Sequence, residues 1–299
     1  MGLRIMSRPC LIGLDWGTSS LRAMLIDGRG QAIEEQSRPW GVMHLPVGGF
    51  TSAYAEVTSI WRTEWPDLPC LAAGMVGSRQ GWIEAPYCDA PATIEMLATR
   101  LTSVPDVGMH IVPGVALRGA RPDVMRGEET QVFGSLDQGK DRCIVLPGSH
   151  SKWVTMESGS ITDFHTFMTG EIFAALRDHT ILGTAAASEK STEAFDRGVL
   201  AARAASGGIA PLFFSARSLV LDGQLNPSAT LDYLSGLLIG DELHIARSNA
   251  KPLLIGDADL CRRYRRAMNL YEIAAEIAAP GAAAKGLWRI ARAAGLIPG

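Results

Sequence analysis

Apolar residues come in short runs along this chain, and their spacing changes from run to run. Cys10 to Trp16 is a compact apolar stretch interrupted by Gly13 and Asp15. Leu21 to Asp27 and Gln31 to Gln36 read as further strands, with Gly17, Gly28 and Gly30 punctuating the series. Alternation between glycine turns predicts an antiparallel meander at the start of the chain. From Thr51 to Trp65 the period lengthens, and Tyr54, Val57, Ile60 and Trp61 fall at helical spacing. Pro69 to Met75 and Met109 to Val112 return to strand, and Glu128 to Leu136 reads as helix.

The opening pattern then recurs. Arg142 to Leu146 is an apolar strand that ends in Pro147-Gly148, with Lys152 to Met156 and Ile161 to Phe167 as its partners. Two strand–glycine-turn–strand units in one chain suggest a duplicated domain. The remainder is richer in helix: Glu171 to Asp178, Leu231 to Arg247, Asp259 to Met268 and Ala282 to Ala294. Pro252 to Ile255 and Tyr271 to Ile277 read as strands between them, and Ala201 to Gly208 as a loose Ala/Ser/Gly segment. Strand–helix alternation after a meander predicts an α/β fold with mixed sheets flanked by helices. A chain of 299 residues is long enough for two domains. The polar stretch Gln138 to Asp141 sets the expected boundary, giving domains 1–138 and 139–299.

Five segments carry candidate chemistry. In Asp15-Trp16-Gly17-Thr18-Ser19-Ser20-Leu21-Arg22 a strand ends in a carboxylate and turns on small residues. The N–H groups of Gly17, Thr18 and Ser19 can form an anion nest, and Asp15 can hold Mg²⁺ through water. The plain alternative is a hairpin turn with an Asp bonded to its own backbone. Pro147-Gly148-Ser149-His150-Ser151-Lys152 reads as a second phosphate loop, with Lys152 adding positive charge for a phosphate or a substrate acid. A loop or core histidine is the alternative for His150. Arg126-Gly127-Glu128-Glu129 opens a helix. One of these glutamates can take the proton of an attacking hydroxyl, and Arg126 can clamp a carboxylate. Acids in a first helical turn also stabilise the helix dipole without any catalytic role.

Gly256-Asp257 follows a strand and precedes a helix, a turn against which an adenine or ribose can lie. Gly77-Ser78-Arg79-Gln80 offers donors for a polyhydroxy acid, or is an ordinary glycine loop. There is no G-x-x-x-x-G-K-[ST] string, and no G-x-G-x-x-G follows a strand, which excludes a P-loop and disfavours a Rossmann dinucleotide site.

Composition narrows the class further. Lys plus Arg is 28 against 31 Asp plus Glu, a net charge of −3, so neither nucleic acid nor an anionic membrane is expected as a partner. The five cysteines are scattered, with no C-x-x-C pair to suggest zinc or a disulfide framework. Scattered thiols suit a reducing cytosol. The apolar run after Cys10 is too short for a signal-peptide core, and no uncharged apolar stretch approaches the ~20 residues of a membrane span. A cytoplasmic protein is the expectation, with room for a homodimer.

With these segments in view, the chain resembles the 2-dehydro-3-deoxygalactonokinases nearly end to end. The matching strings include Asp15-Trp16-Gly17-Thr18, Ala73-Gly74-Met75-Val76-Gly77-Ser78, Gly81-Trp82, Val124 to Gln131, Pro147-Gly148-Ser149-His150, Met168-Thr169-Gly170-Glu171 and Leu234 to Gly240. The order of loops is similar to that of the actin, hexokinase and Hsp70 superfamily. The resemblance implies two ribonuclease-H-like, actin-like ATPase domains with a cleft between them, using ATP and Mg²⁺. It implies transfer of the γ-phosphate to the 6-hydroxyl of 2-dehydro-3-deoxy-D-galactonate, a small-molecule sugar acid.

By the same resemblance Asp15 organises the metal. Gly17, Thr18, Ser19, Arg22, Gly148, Ser149, His150, Gly256 and Asp257 hold the nucleotide. Gly77, Ser78, Arg79, Arg126 and Lys152 face the acid. The base is Glu128 or Glu129, where the superfamily usually places Asp, with Glu128 preferred. Alternatives on the same fold are a kinase for the gluconate epimer, a phosphate or polyphosphate hydrolase, and a non-enzymatic actin-like regulator.

Overall fold

A computed structural model describes residues 8–135, 141–183, 190–246 and 251–298. The expected boundary between 138 and 139 and the helix ends at Leu136 and Arg247 lie outside these residues. The chain divides into two compact units. One comprises residues 1–141, 155–164 and 279–299, and the other comprises 142–154 and 165–278.

The first unit begins with the expected meander, β1 (Pro9–Trp16), β2 (Leu21–Asp27) and β3 (Ala32–Arg38), paired antiparallel in sequence order. Helix α1 (Gly49–Glu64) buries Ala53, Tyr54, Val57, Thr58 and Trp61; of the four apolar positions at helical spacing, Ile60 alone is left exposed. β4 (Cys70–Ala73) lies parallel to β1 on the side away from β2. The chain continues through β5 (Cys88–Asp89), α2 (Ile94–Ala98), β6 (Thr102–Val104), β7 (Met109–Ile111), β8 (Val115–Leu117), β9 (Asp123–Met125) and α3 (Glu128–Ser135). Among the described residues one sheet runs β3-β2-β1-β4-β7-β6 and a small one β5-β8-β9. β1 is central, and Leu11, Ile12, Leu14 and Trp16 are fully buried, which explains why its apolar run is nearly continuous. β3 sits at an edge and exposes Glu34 and Glu35.

The second unit is built on β10 (Arg142–Leu146), β11 (Ser151–Glu157), β12 (Ser160–Phe167), β13 (Leu253–Leu254) and β14 (Glu276–Ile277), in the order β12-β11-β10-β13-β14. Ser158 and Gly159, both at positive φ, turn β11 into β12, and this hairpin tip belongs to the first unit. The helices are α4 (Thr169–His179), α5 (Thr192–Ala204), α6 (Ser215–Leu221), α7 (Thr230–Ala246) and α8 (Ala258–Leu270). α5 and α7 meet at glycines: a Cβ on Gly198 or Gly236 would strike the backbone of the opposite helix. The last helix, α9 (Ala282–Ala293), returns to the first unit and packs on α3 through Gly134 and Gly286, which likewise leave no room for a Cβ.

The fold class is as expected, mixed α/β sheets with helices. Three local expectations need correction. Tyr271–Ile277 is a strand only at Glu276–Ile277, because Tyr271 caps α8 with its N–H on Ala267 O. Pro69–Met75 is a strand only to Ala73, after which Met75–Gly77 forms a 3-10 turn. Ala201–Ala204 is the end of α5 rather than loose chain, and the helix itself had no place in the expected element list. Its buried Ala194, Phe195, Gly198, Val199 and Ala202 nevertheless carry helical spacing.

Candidate functional site

In the first unit three backbone segments stack at the carboxyl ends of the parallel strands β1 and β4. Gly74 has φ +97°, and a Cβ there would lie 2.7 Å from Trp16 O. Gly127 has φ +108°, and its Cβ would lie 3.1 Å from Gly74 Cα. Only glycine combines such φ values with so close an approach. The ends of β1 and β4 and the start of α3 therefore lie together, at the strand ends where α/β folds bind ligands.

Asp15 sits at this end of β1, and its Oδ2 accepts from Arg22 Nη2 at 2.8 Å. The two residues face each other across the β1–β2 pair. The turn that follows is tight: Gly17 N–H donates to Ser20 O, while Val42 and Met43 donate to Gly17 O and Thr18 O. Gly41 packs so closely on Thr18 and Ser19 that a side chain would not fit. Thr18 and Ser19 are exposed, whereas the Gly17 N–H serves the turn.

The two candidate bases differ in environment. Glu128 is half-buried, and its Oε2 accepts from Arg126 N at 2.9 Å. Glu129 is fully buried, with Oε2 accepting from Gly127 N at 2.7 Å and Oε1 from Thr130 Oγ1 at 3.1 Å. Burial, reinforced by the charge of Glu128, pushes the Glu129 carboxyl up to about 8. At neutral pH Glu129 is mainly protonated.

Arg126 is the notable cation. It is buried, it lies over the Tyr87 ring at 4.2 Å, and its Nη2 donates to Ala85 O at 2.8 Å. Its Nε and Nη1 are buried with no hydrogen-bond partner among the described residues, and Ser78 Oγ is in the same condition. A Cβ on Gly77 would lie 3.1 Å from Arg126 Nη1, so glycine makes room for the guanidinium. Unpaired buried donors are rare in folded proteins and call for an explanation, of which an absent anion is one. Arg79, by contrast, points outward with 88% of its side chain exposed, 3.8 Å from Glu84.

In the second unit Gly148 and Ser149 follow β10, and the start of α4 lies on them. Glu171 N–H donates to Ser149 O at 3.1 Å, and a Cβ on Gly170 would lie 2.7 Å from Ser149 Cα. His150 Nε2 pairs with Glu171 Oε2. Lys152 is buried, with Nζ donating to Thr166 Oγ1 at 2.9 Å. Beside Gly148 and Ser149 opens a mainly apolar cavity of about 400 Å³, whose lining includes Phe173, Ser235, Arg263 and Tyr264. Gly256, at φ +135°, and Asp257, which caps α8 through Leu260 N–H, are not part of that lining. The sequence reading did not single out Phe173, Ser235, Arg263 or Tyr264. Phe173 follows the Met168–Glu171 string and Ser235 lies within Leu234–Gly240, so two of the four adjoin strings that carried the resemblance.

Among the described residues no three or more His, Cys, Asp or Glu side chains are grouped so that they could hold a metal ion by themselves. A single carboxylate such as Asp15, followed by the exposed Thr18–Ser19 turn, fits Mg²⁺, which takes one or two protein carboxylates and completes its shell with water and phosphate oxygens.

Comparison with known proteins identifies the family. The family model for 2-keto-3-deoxy-galactonokinase matches residues 15–290. The chain is 37% identical over 263 residues to the 2-dehydro-3-deoxygalactonokinase of Escherichia coli (strain K12), covering 86% of this chain and 88% of that protein. A Sinorhizobium meliloti protein, solved as a candidate 2-dehydro-3-deoxygalactonokinase, superposes with a TM-score of 0.86 at 34% identity, covering 95% of this chain and 98% of the other. The activator of 2-hydroxyisocaproyl-CoA dehydratase from Clostridium difficile, solved with bound ADPNP, shares the fold at a TM-score of 0.52 and 12% identity, with 95% of each chain covered. On the family match over residues 15–290 and the identity to its members, this chain belongs to the 2-keto-3-deoxy-galactonokinase family.

Proposed function

We propose that the chain transfers the γ-phosphoryl group of ATP to the 6-hydroxyl of 2-dehydro-3-deoxy-D-galactonate in the cytoplasm. The observation that carries this reading, beyond family membership, is Arg126. A buried guanidinium with Nε and Nη1 unpaired is suited to the carboxylate of a sugar acid. Gly77 supplies the space, and Tyr87 the stacking surface, that hold the fork in place. Exposed Arg79 and buried Lys152 have weaker support as acid ligands, since neither has donors left in this condition.

Phosphoryl transfer asks the protein chiefly to position reactants and to neutralise charge. Asp15 would hold Mg²⁺, which offsets phosphate charge; the Thr18–Ser19 turn and Arg22 lie beside it for phosphate oxygens. In the second unit Gly148, Ser149 and His150 would take phosphate oxygens, and the adjoining cavity of about 400 Å³ would take the base and ribose. Gly256 and Asp257 would then border the nucleotide rather than line its pocket.

The 6-oxygen attacks the γ-phosphorus, the bond to the β-phosphate oxygen breaks, and ADP leaves. The hydroxyl proton passes to a carboxylate. A base must be ionised, and Glu129 is held protonated below about 8, which favours Glu128 for this step.

The test is ADP release from Mg-ATP with 2-dehydro-3-deoxygalactonate, with its gluconate epimer, and with no acceptor. Release that depends on the acceptor, with the galactonate preferred, is the expected result. Equal release without acceptor would replace the kinase by a hydrolase, and no release would leave a nucleotide-binding regulator.

A further inference from the structure

Behind the second unit's cavity lies a buried carboxylate that no step above uses. Glu242, on α7, is 1% exposed. Its Oε1 accepts the Trp153 indole N–H at 2.7 Å. Its Oε2 accepts the Tyr264 hydroxyl at 2.7 Å and the Thr169 hydroxyl. The Tyr264 hydroxyl also lies 3.0 Å from Ser151 Oγ. β11, α4 and α8 are thus tied to α7 through one side chain. Burial raises the Glu242 pKa, and the hydroxyl and indole donors work against that rise.

Burying a carboxylate is costly even when it is fully hydrogen-bonded, and an apolar side chain of similar volume often packs as well or better. The reason for this one is visible in what its partners touch. Thr169 and Tyr264 line the cavity together with Gly148, Ser149 and Gly170. Thr169 also opens the helix whose next two residues, Gly170 and Glu171, lie on Ser149. Ser151 and Trp153 belong to the strand that leaves the Gly148–Ser149 turn. The turn is therefore held from its own strand and from the helix laid across it, and both holds end on Glu242.

We propose that Glu242 is a positioning residue for nucleotide binding, holding the Gly148–Ser149 turn and the adjoining cavity wall in a receptive shape through Thr169, Tyr264 and Trp153. The proposal rests on the reading of that cavity as the nucleotide site. It goes beyond that reading by giving the affinity to a residue that touches no ligand.

The experiment is calorimetric titration of the full chain with Mg-ADP in the absence of sugar acid, alongside steady-state KM values for ATP and for the acid. In Glu242→Gln one acceptor oxygen becomes a donor facing hydroxyls. Losing the acceptor that the Thr169 and Tyr264 hydroxyls share should make ADP bind about tenfold more weakly or worse. The KM for the acid should stay within about twofold, as a loss confined to the nucleotide side requires. Thr169→Val should weaken ADP in the same way, Thr169→Ser should recover most of that loss, and the double variant Glu242→Gln/Thr169→Val should be clearly less than additive.

If Glu242→Gln does not fold, Thr169→Val and Tyr264→Phe carry the same test. A folded Glu242→Gln that binds ADP within twofold of the parent overturns the proposal. So does an equal weakening for ADP and sugar acid, which marks a merely structural residue. A parent protein that binds no ADP overturns the proposal together with the nucleotide reading beneath it.

Discussion

Replacing Arg126 separates binding from stability in a way few buried residues allow. The guanidinium spends one donor on Ala85 O and its face on Tyr87, and keeps Nε and Nη1 buried without partners. Each charge-assisted hydrogen bond that this fork makes to a carboxylate is worth about 1.5–3 kcal/mol. Arg126→Lys keeps the charge but loses the fork, so one such bond should go, lowering kcat/KM for the sugar acid roughly 10- to 150-fold. Arg126→Met loses both bonds and the charge, and should fall by about 10³-fold or more.

In the ligand-free protein the balance differs. Losing the Ala85 bond and the stacking costs about 2–3 kcal/mol, and removing two desolvated, unpaired N–H groups returns a similar amount. Unfolding of Arg126→Met should therefore stay within about 1 kcal/mol of the parent, a few degrees in Tm for a chain of this size. The assay pairs acid-dependent ADP release at saturating ATP with thermal unfolding without ligand. Arg126→Met that keeps its kcat/KM within threefold would refute the carboxylate role. A large drop in Tm would show that the guanidinium is a structural member of the first unit instead.

Other substitutions test the remaining roles. Asp15→Asn should abolish most turnover while costing less than about 1 kcal/mol of stability, because its ion pair with Arg22 is partly exposed; near-normal turnover would remove the metal role. Of Glu128→Gln and Glu129→Gln only one should lose ~10²-fold or more in kcat, and a kcat/KM profile whose acid limb is centred near 8 would identify Glu129 as the base. Glu129 also has a stability signature. Its carboxyl is raised in the folded state, so the folded protein holds a proton that the unfolded chain releases, and stability falls as pH rises from the ordinary carboxyl range through about 8. Glu129→Gln should flatten that slope in chemical unfolding measured between pH 5 and 8.5. Gly74→Ala puts a Cβ 2.7 Å from Trp16 O at φ +97°, and should cost about 1–3 kcal/mol in denaturation while lowering activity more than Arg79→Ala does.

Much of this molecule was legible in the chain itself. The meander, the second strand–turn–strand unit and most helices follow from local period, because alternation and helical spacing are set within a few residues. The two glycine turns and Asp15 at the end of β1 were visible for the same reason. At Tyr271–Ile277 packing overrode local character, whereas Thr192–Ala204 carries a helical spacing in its buried residues that Gly198 and the small residues after it mask. Tyr271 is drawn into capping α8, and Gly198, a poor helix former, is placed in α5 so that α7 can approach.

What only the tertiary structure decided is which of several similar residues is buried, and with what. Sequence offered Arg79, Arg126 and Lys152 together as cations for the acid; the fold exposes the first, orphans two donors of the second, and gives the third to Thr166. It offered Glu128 and Glu129 as neighbours, and burial separates them. It gave no sign of Glu242, whose partner Trp153 lies 89 residues away, nor that α9 at the end of the chain would pack on α3. Local period reports on residues a turn or two apart. Desolvation and hydrogen-bond satisfaction depend on groups brought together from distant parts of the chain, and those exist only once it has folded.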